Sequence, residues 1–344
     1  MADRGVVLSA PGKVALEEIV VDDPGPGEVR VRIEATGVCH TDLHVIEEDG
    51  WGHTLPVLLG HEGAGTVDAV GEGVDAIAPG DSVVIGWKTA CGSCVACLRG
   101  DLRRCRRPPA APGRLHRLDG TALTPVLRTG TFATRTVVPV QGVAKVQAAL
   151  RAEHACLIGC AVATGVMSVL ETAHVWEGAR VAVIGCGAVG LSVIQGARIA
   201  GASEIRAIDV DDRKLGQARR FGATHTGVGH VDFAFDVVGT RTTFELALSL
   251  LSSGGTVVLI GLSPAGERAE LGLPELFAKR ARILVSHGGD HIPSDFPQLG
   301  QWALDGKLDL AGMVTRTAPL DGWWDALDAM RSGDVVRTVL KPTL

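Results

Sequence analysis

The chain has no tyrosine, few aromatic residues of any kind (4%) and no uninterrupted apolar run of eighteen residues. The last absence excludes an ordinary membrane-spanning helix; nothing functional follows from the missing tyrosine. A basic excess is lacking too. Lys and Arg number 33 against 39 Asp and Glu, a formal charge of −6, so no positive field invites nucleic acid. The opening MADRGVVLSAPGKVALEEIV has no charged segment followed by an apolar one. No export signal is therefore expected, and the cytoplasm is the expected location. Internal repeats and low-complexity tails are missing as well. What remains is 344 residues, 46% hydrophobic and 21% charged, a globular balance too long for one ordinary core, which predicts two domains.

Cysteine is the informative residue type. There are eight, and Cys91, Cys94, Cys97 and Cys105 fall within fifteen residues. In a reducing compartment such crowding points to metal binding before cross-linking.

Residues 1–90 alternate short β-type runs (VVLSAPG, EVRVRIEATG, GAGTVDAVGEGV, DSVVIGW) with Gly/Pro turns, which predicts a compact, mostly β domain. Residues 91–130 are polar, rich in Arg, Pro and Gly, and without periodicity; they are expected to form a long lobe held by something other than a core. From about 160, ARVAVIGCGAVGLSVIQGARIAGASEIRAID reads strand, glycine-rich turn, helix, strand, and FAFDVVG and GGTVVLIGL are further buried strands. Strands alternating with helices imply a doubly wound parallel sheet. After about 288 the pattern is mixed again and closes on the strand-like DVVRTVLKP. The expected layout is 1–160 with 288–344 as one domain, carrying a metal lobe at 91–105, and 161–287 as the other.

Gly185, Gly187 and Gly190 form G-x-G-x-x-G directly after the strand VAVI. The first glycine permits the tight turn, the second lets backbone approach a pyrophosphate, and the third lets helix and strand pack closely. Asp209 ends the next strand, 24 residues after Gly185. An acid there bonds an adenosine ribose 2′-hydroxyl and selects NAD; Val210, Asp211 and Asp212 follow it, an environment that repels a 2′-phosphate. The plainer reading of Asp209 is a solvated strand-end acid.

Cys91-x2-Cys94-x2-Cys97-x7-Cys105 supplies four thiolates, the donor set of a closed, structural zinc site; an iron–sulfur cluster uses four cysteines as well. Cys39 in GVCHTDLH, His61 and Glu62 in LLGHEGAG, and Cys160 in CLIGCAVATG are further candidates. Spacing alone does not join them. Each cysteine taken singly is more often a small buried hydrophobe, and His61 could be a core histidine.

These motifs, with VAVIGCGAVGL and the closing RSGDVVRTVL, occur in an order that resembles the zinc-containing medium-chain alcohol dehydrogenase family along nearly the whole chain. CHTD and the cysteine lobe are similar to the branch of thiol-dependent formaldehyde dehydrogenases, and LDGTALTPVLRTGTFA to its mycothiol-dependent members. The resemblance implies a doubly wound Rossmann cofactor domain with a mostly β, GroES-like catalytic domain, two zinc ions per chain, and NAD. Cys39, His61 and Cys160 match the catalytic zinc ligands, a set for which alcohol dehydrogenase is itself the standing example. Glu62 matches the acid behind the metal, and Asp42 the carboxylate that orients the histidine ligand. Thr41 matches the hydroxyl that bonds the substrate alcohol, and His44 the histidine that relays its proton. His40 and Arg337 match positions at the cofactor pyrophosphate, and Lys214 the lysine beside the ribose; without the resemblance, Arg337 and Lys214 read as surface charges. Cys156 and Cys186 match no ligand and are expected to pack.

The implied activity is NAD-linked interconversion of a primary alcohol and its aldehyde, with oxidation of a formaldehyde–thiol adduct as the alternative and a non-catalytic zinc protein as a remote one. A homodimer is implied through the segment from GGTVVLIGL to RILVSHGG, with a tetramer also open. Trp51 and Trp87 fall where the family lines its pocket, though each could be an ordinary buried aromatic. Arg103, Arg104, Arg106, Arg107 and Arg114 could receive a thiol carrier's carboxylate or simply form a solvated face. Two departures stand out: the segment between GATHT and DFAFDVVG is short, and so is the link between Cys105 and LDGT.

Overall fold

Val29, Val31, Ile33 and Ala35 are fully buried along the strand Glu28–Gly37, whereas Arg30, Arg32 and Glu34 between them are not. That period of two lays one face on a core and leaves the other to ion pairs, such as Arg30 to Asp68 at 2.7 Å. Each buried Val or Ile contributes about 1.5–3 kcal/mol. The computed structural model describes residues 2–105, 107, 109–263, 265–289 and 291–342. They divide into two units, Met1–Cys160 with Asp290–Leu344, and Ala161–Gly289.

The first unit holds two sheets. In the larger, Val143–Lys145, Ser82–Ile85, Glu62–Val70, Glu28–Gly37, Arg337–Lys341 and Val314–Pro319 lie in that order, and Arg135–Pro139 also pairs with Glu28–Gly37. In the smaller, the order is Leu115–Arg117, Lys13–Val21, Asp3–Ala10, Val57–Leu58 and Thr124–Pro125. This sheet corrects the expectation of a coreless lobe over 91–130. Leu115, Leu123 and Val126 are 0–4% exposed and join its apolar core, so only the cysteine-bearing part lacks one. Their apolar positions are too widely spaced among polar and Gly/Pro residues to form a visible period.

The second unit is the expected doubly wound sheet, all parallel, with the order His225–Thr226, Glu204–Ile208, Arg180–Ile184, Val231–Asp236, Leu251–Leu259 and Arg282–Val285. The central strand's Val181, Ala182, Val183 and Ile184 are 0–3% exposed, as befits a strand covered on both faces. Helices Ala188–Ile199, Asp212–Phe221, Arg241–Ser249 and Leu273–Lys279 make the crossovers. Between His225–Thr226 and Val231–Asp236 only a short link remains. No single helix among the described residues is long and apolar enough to cross a membrane.

Candidate metal centres and cofactor site

The strand Glu28–Gly37 runs out at Val38, and helix His40–Glu47 begins with Cys39 at its N-cap position. Asp42 closes the cap by accepting from the Cys39 backbone N–H at 3.0 Å. The neighbouring strand opens at Glu62, which pairs in register with Gly37. His61 and Glu62 are thereby delivered beside Cys39, and Cys160 arrives at the end of the short turn Cys156–Gly159. One ligand atom from each of Cys39, His61, Glu62 and Cys160 lies within 4.8 Å of the others.

The chemistry of this cluster fits a metal. His61 is fully buried, its Nδ1 is 3.4 Å from Asp42 Oδ1, and neither ring nitrogen has a hydrogen-bond partner. Such an orphaned imidazole nitrogen is costly unless something ligates it. Burial opposes charge on His61, yet Asp42 and Cys39 together push its pKa well above the usual value. The hydrogen bond from Cys160 first, then Arg337 and His61, draw the Cys39 thiol well below its ordinary value against the effect of burial. Burial raises Glu62 to about 7, although Arg337 works the other way.

The second cluster is Cys91, Cys94, Cys97 and Cys105, again with donor atoms within 4.8 Å of one another. Cys97 Sγ is 3.8 Å from that of Cys91 and 3.5 Å from that of Cys94. Thiolates about 2.3 Å from one tetrahedral ion sit about 3.8 Å apart, so the set fits zinc. The Cys105 sulfur accepts the Cys91 N–H at 3.2 Å, and the Cys91 sulfur accepts that of Cys94 at 3.3 Å. Backbone N–H donors from Ser93 and Cys94 bring the Cys91 thiol down to about 6.

In the parallel unit, Gly185 has φ of 92°, a conformation that favours glycine, and a Cβ on Gly190 would lie 1.9 Å from the Gly185 carbonyl oxygen. Gly187 caps the twelve-residue helix Ala188–Ile199, and a Cβ there would meet nothing within 4 Å. The turn is thus closed on the protein side and open on the other, where a pyrophosphate fits. Asp209 Oδ2 accepts the Cys186 N–H at 2.7 Å and Oδ1 that of Asp211 at 3.0 Å, so this carboxylate is tied to the glycine turn.

Residues 25–148 match the Alcohol dehydrogenase GroES-like domain, and residues 188–305 match the Zinc-binding dehydrogenase family. An S-(hydroxymethyl)glutathione dehydrogenase of Paracoccus denitrificans is 34% identical over 99% of this chain and 100% of its own. Among solved structures, an alcohol dehydrogenase zinc-binding domain protein from Burkholderia ambifaria superposes with a TM-score of 0.93 at 31% identity, covering 99% of both chains. A benzyl alcohol dehydrogenase from Acinetobacter calcoaceticus gives 0.90 at 26%, also over 99% of both.

The chain belongs to the zinc-binding alcohol dehydrogenases. In this alcohol dehydrogenase the remaining expected residues fall as follows. The Thr41 hydroxyl is 3.8 Å from the Cys39 sulfur. His44 Nδ1 is 3.1 Å from Glu48 Oε1, and its ring stacks on Trp51 with centroids 6.1 Å apart. His40 is exposed at the helix start, and Lys214 is half-buried in helix Asp212–Phe221. Arg337, taken from sequence as a surface charge apart from the resemblance, is 4% exposed. It donates from Nη1 to the Val38 carbonyl at 3.0 Å and from Nη2 to Glu62 at 2.8 Å. Its strand packs beside Glu28–Gly37, which places the guanidinium behind the ligands. Cys156 and Cys186 are buried and lie outside both metal clusters, with burial raising both thiols. Of the arginine cluster, Arg104 pairs with Asp101 at 3.1 Å, Arg114 pairs with Glu28 at 2.9 Å, and Arg106 lies outside the described residues. Sequence reasoning missed Glu48 and the tie between Asp209 and Cys186. A carboxylate four residues after His44 on one helix face was the available signal for the first.

Proposed function

We propose that this enzyme interconverts a primary alcohol and its aldehyde by hydride exchange with NAD at the Cys39–His61–Cys160 centre. The observation that carries the reading is the buried, unpartnered His61 Nε2 beside two thiols. Cys39, His61 and Cys160 would hold the catalytic zinc, and the four-cysteine lobe the structural one. Zinc supplies Lewis acidity toward the substrate oxygen, and NAD supplies the hydride acceptor.

The chain's own residues bind, orient and move the proton. Asp42 fixes the ring of His61 so that Nε2 faces the metal position. Thr41 would take the alcohol proton on its hydroxyl oxygen while giving up its own hydroxyl proton, and His44, held by Glu48 and Trp51, would pass a proton on to solvent. Glu62 stands behind the ligands, held by Arg337. On the cofactor side, Gly185, Gly187 and Gly190 receive the pyrophosphate, and Asp209 and Lys214 bracket the ribose. Arg337 is committed to Glu62 and the Val38 carbonyl. Aldehyde reduction is the same path reversed.

A homodimer is proposed through the strand Arg282–Val285. Among the described residues it has one neighbour, and its Ile283 and Val285 are 39% and 64% exposed. The cytoplasm suits cysteines that serve as metal donors.

The thiol-adduct reading is favoured by the resemblance of CHTD, the cysteine lobe and LDGTALTPVLRTGTFA to the thiol-dependent branch, and by the name that the Paracoccus relative and others carry. Formaldehyde oxidation with NAD, with and without glutathione or mycothiol, decides between the two. A hundredfold gain with either thiol corresponds to about 2.7 kcal/mol of transition-state stabilisation and makes the adduct the substrate. Oxidation of simple primary alcohols without such a gain supports the general activity.

A further inference from the structure

Arg128 stands in the short turn Val126–Arg128, where two adjacent non-glycine residues, Leu127 and Arg128, have φ of 47° and 65°. Left-handed backbone at consecutive side-chain-bearing positions persists only where the surroundings impose it, and it concentrates at ligand sites. The surroundings here are those of the candidate catalytic centre. The Thr131 N–H donates to the Gly60 carbonyl at 2.9 Å, immediately before His61, and the Thr129 hydroxyl, which donates to the Val126 carbonyl at 2.8 Å, lies 3.2 Å from the same oxygen. The Leu127 N–H donates to His53 Nε2 at 3.1 Å, and His53 Nδ1 donates to the Gly50 carbonyl at 2.9 Å, next to Trp51, which stacks on His44. The turn is thus clamped between the loop that delivers a metal ligand and the loop that backs His44.

The side chain it presents has no counter-ion. Arg128 Nη2 donates to the Trp87 carbonyl at 3.3 Å, and its Nε is buried without a hydrogen-bond partner. Among the described residues no carboxylate pairs with this half-buried guanidinium. Burial alone moves its pKa, downward, with no neighbouring charge to offset it. The neighbouring cation Lys88 differs, for it sits 5.7 Å from the centroid of the Trp87 ring. A guanidinium taken partly out of water with one backbone carbonyl for company is unfavourable unless an anion completes it, and its planar fork matches a carboxylate.

We propose that Arg128 is a specificity-determining residue that binds a carboxylate on the substrate, so that the favoured alcohol or aldehyde carries an anionic group beyond its reacting carbon. The inference rests on the reading of the Cys39–His61–Cys160 centre given above, and it narrows the substrate class. The carboxylate belongs either to the alcohol itself or to a thiol carrier joined to the aldehyde.

The test compares benzyl alcohol with 4-(hydroxymethyl)benzoate, and formaldehyde with and without glutathione. The zinc-loaded enzyme is used as wild type, Arg128→Gly and Arg128→Lys. Glycine suits the left-handed backbone, so that variant folds; lysine keeps the charge without the fork. The wild-type ratio of kcat/KM for the carboxylated over the neutral alcohol is expected above ten. It falls at least tenfold in Arg128→Gly, mostly through KM, and is partly kept in Arg128→Lys. The same loss confined to the glutathione arm assigns the carboxylate to the carrier. A ratio near one in the wild type in both arms, or equal losses on charged and neutral substrates in Arg128→Gly, overturns the inference and makes Arg128 a brace for Trp87. Calorimetric titration of the same two alcohols into the enzyme–NADH complex separates the two failures. Arg128-dependent binding without turnover contradicts the catalytic reading alone, and turnover without charge preference contradicts the present one alone.

Discussion

Arg337 donates from Nη2 to Glu62 Oε1 at 2.8 Å, and the two side chains are 5% and 0% exposed. The pair joins the last strand of the catalytic unit to the strand that begins with a metal-ligand candidate. A buried pair of this kind is weak evidence of net stability, but breaking it above about pH 8 leaves Glu62, already raised to about 7 by burial, without the cation that favours its ionised form. Arg337→Met is therefore expected to destabilise the protein by about 3–5 kcal/mol above about pH 8, and by less below about pH 7, where Glu62 takes up a proton. Denaturant unfolding of the zinc-loaded protein checks this, and a loss below about 1 kcal/mol would show that Glu62 does not depend on its partner.

The two cysteine clusters differ in what their loss does. Cys160→Ser is expected to lower metal content from two zinc ions per chain to one and to abolish turnover, with a small change in stability. Cys97→Ser is expected to remove the other ion and chiefly to lower the unfolding temperature, since its lobe has no apolar core. Elemental analysis with thermal unfolding distinguishes them; iron in the wild type, or one zinc, would contradict the assignment.

Asp209 is held by the backbone of Cys186 and Asp211, so its carboxylate is pre-set rather than drawn in by the cofactor. Asp209→Gly should reduce the preference for NAD over NADP, measured as the ratio of kcat/KM values, by tenfold or more. An NADP preference in the wild type would mean that the acid does not face the ribose.

Much of the fold was legible because its signals are local. The strand VAVI, the glycine turn and the helix after it are contiguous, and each glycine has a reason of its own within a few residues. The alternation in EVRVRIEATG likewise needs no distant partner. Residues 115–126 were opaque because Leu115, Leu123 and Val126 have no period; their burial depends on strands from the far N-terminal part of the chain. The candidate site divides in the same way. The Cys91–Cys105 spacing carries its chemistry on its face, whereas Cys39, His61 and Cys160 meet only through register and turn, and resemblance alone joined them in advance. The burial of Arg337 and the unpaired state of Arg128 depend on what packs around them, which sequence does not state.

Asp232 tests electrostatics away from either metal. It accepts from Arg180 Nη2 at 2.8 Å and from the Arg180 backbone N–H at 2.9 Å, and the Arg180 side chain holds its carboxyl below the usual range despite burial. A depressed folded-state pKa means the associated stability is present above the ordinary carboxylate value and is lost as pH falls through the lower, folded one. Asp232→Asn should thus lower Tm by roughly 2 °C at pH 7, and the gap should close below about pH 4. A gap independent of pH would show the side chain acting through packing instead.

The central claim is that Cys39, His61 and Cys160 form the centre at which an alcohol gives hydride to NAD. Its most direct test is NADH formation at 340 nm from a panel of primary alcohols, neutral and carboxylated, by zinc-loaded wild type and Cys160→Ser. The account predicts steady NADH production by the wild type and a loss of at least a thousandfold in the variant, with its fold and four-cysteine zinc retained. Comparable rates from the two proteins would contradict it.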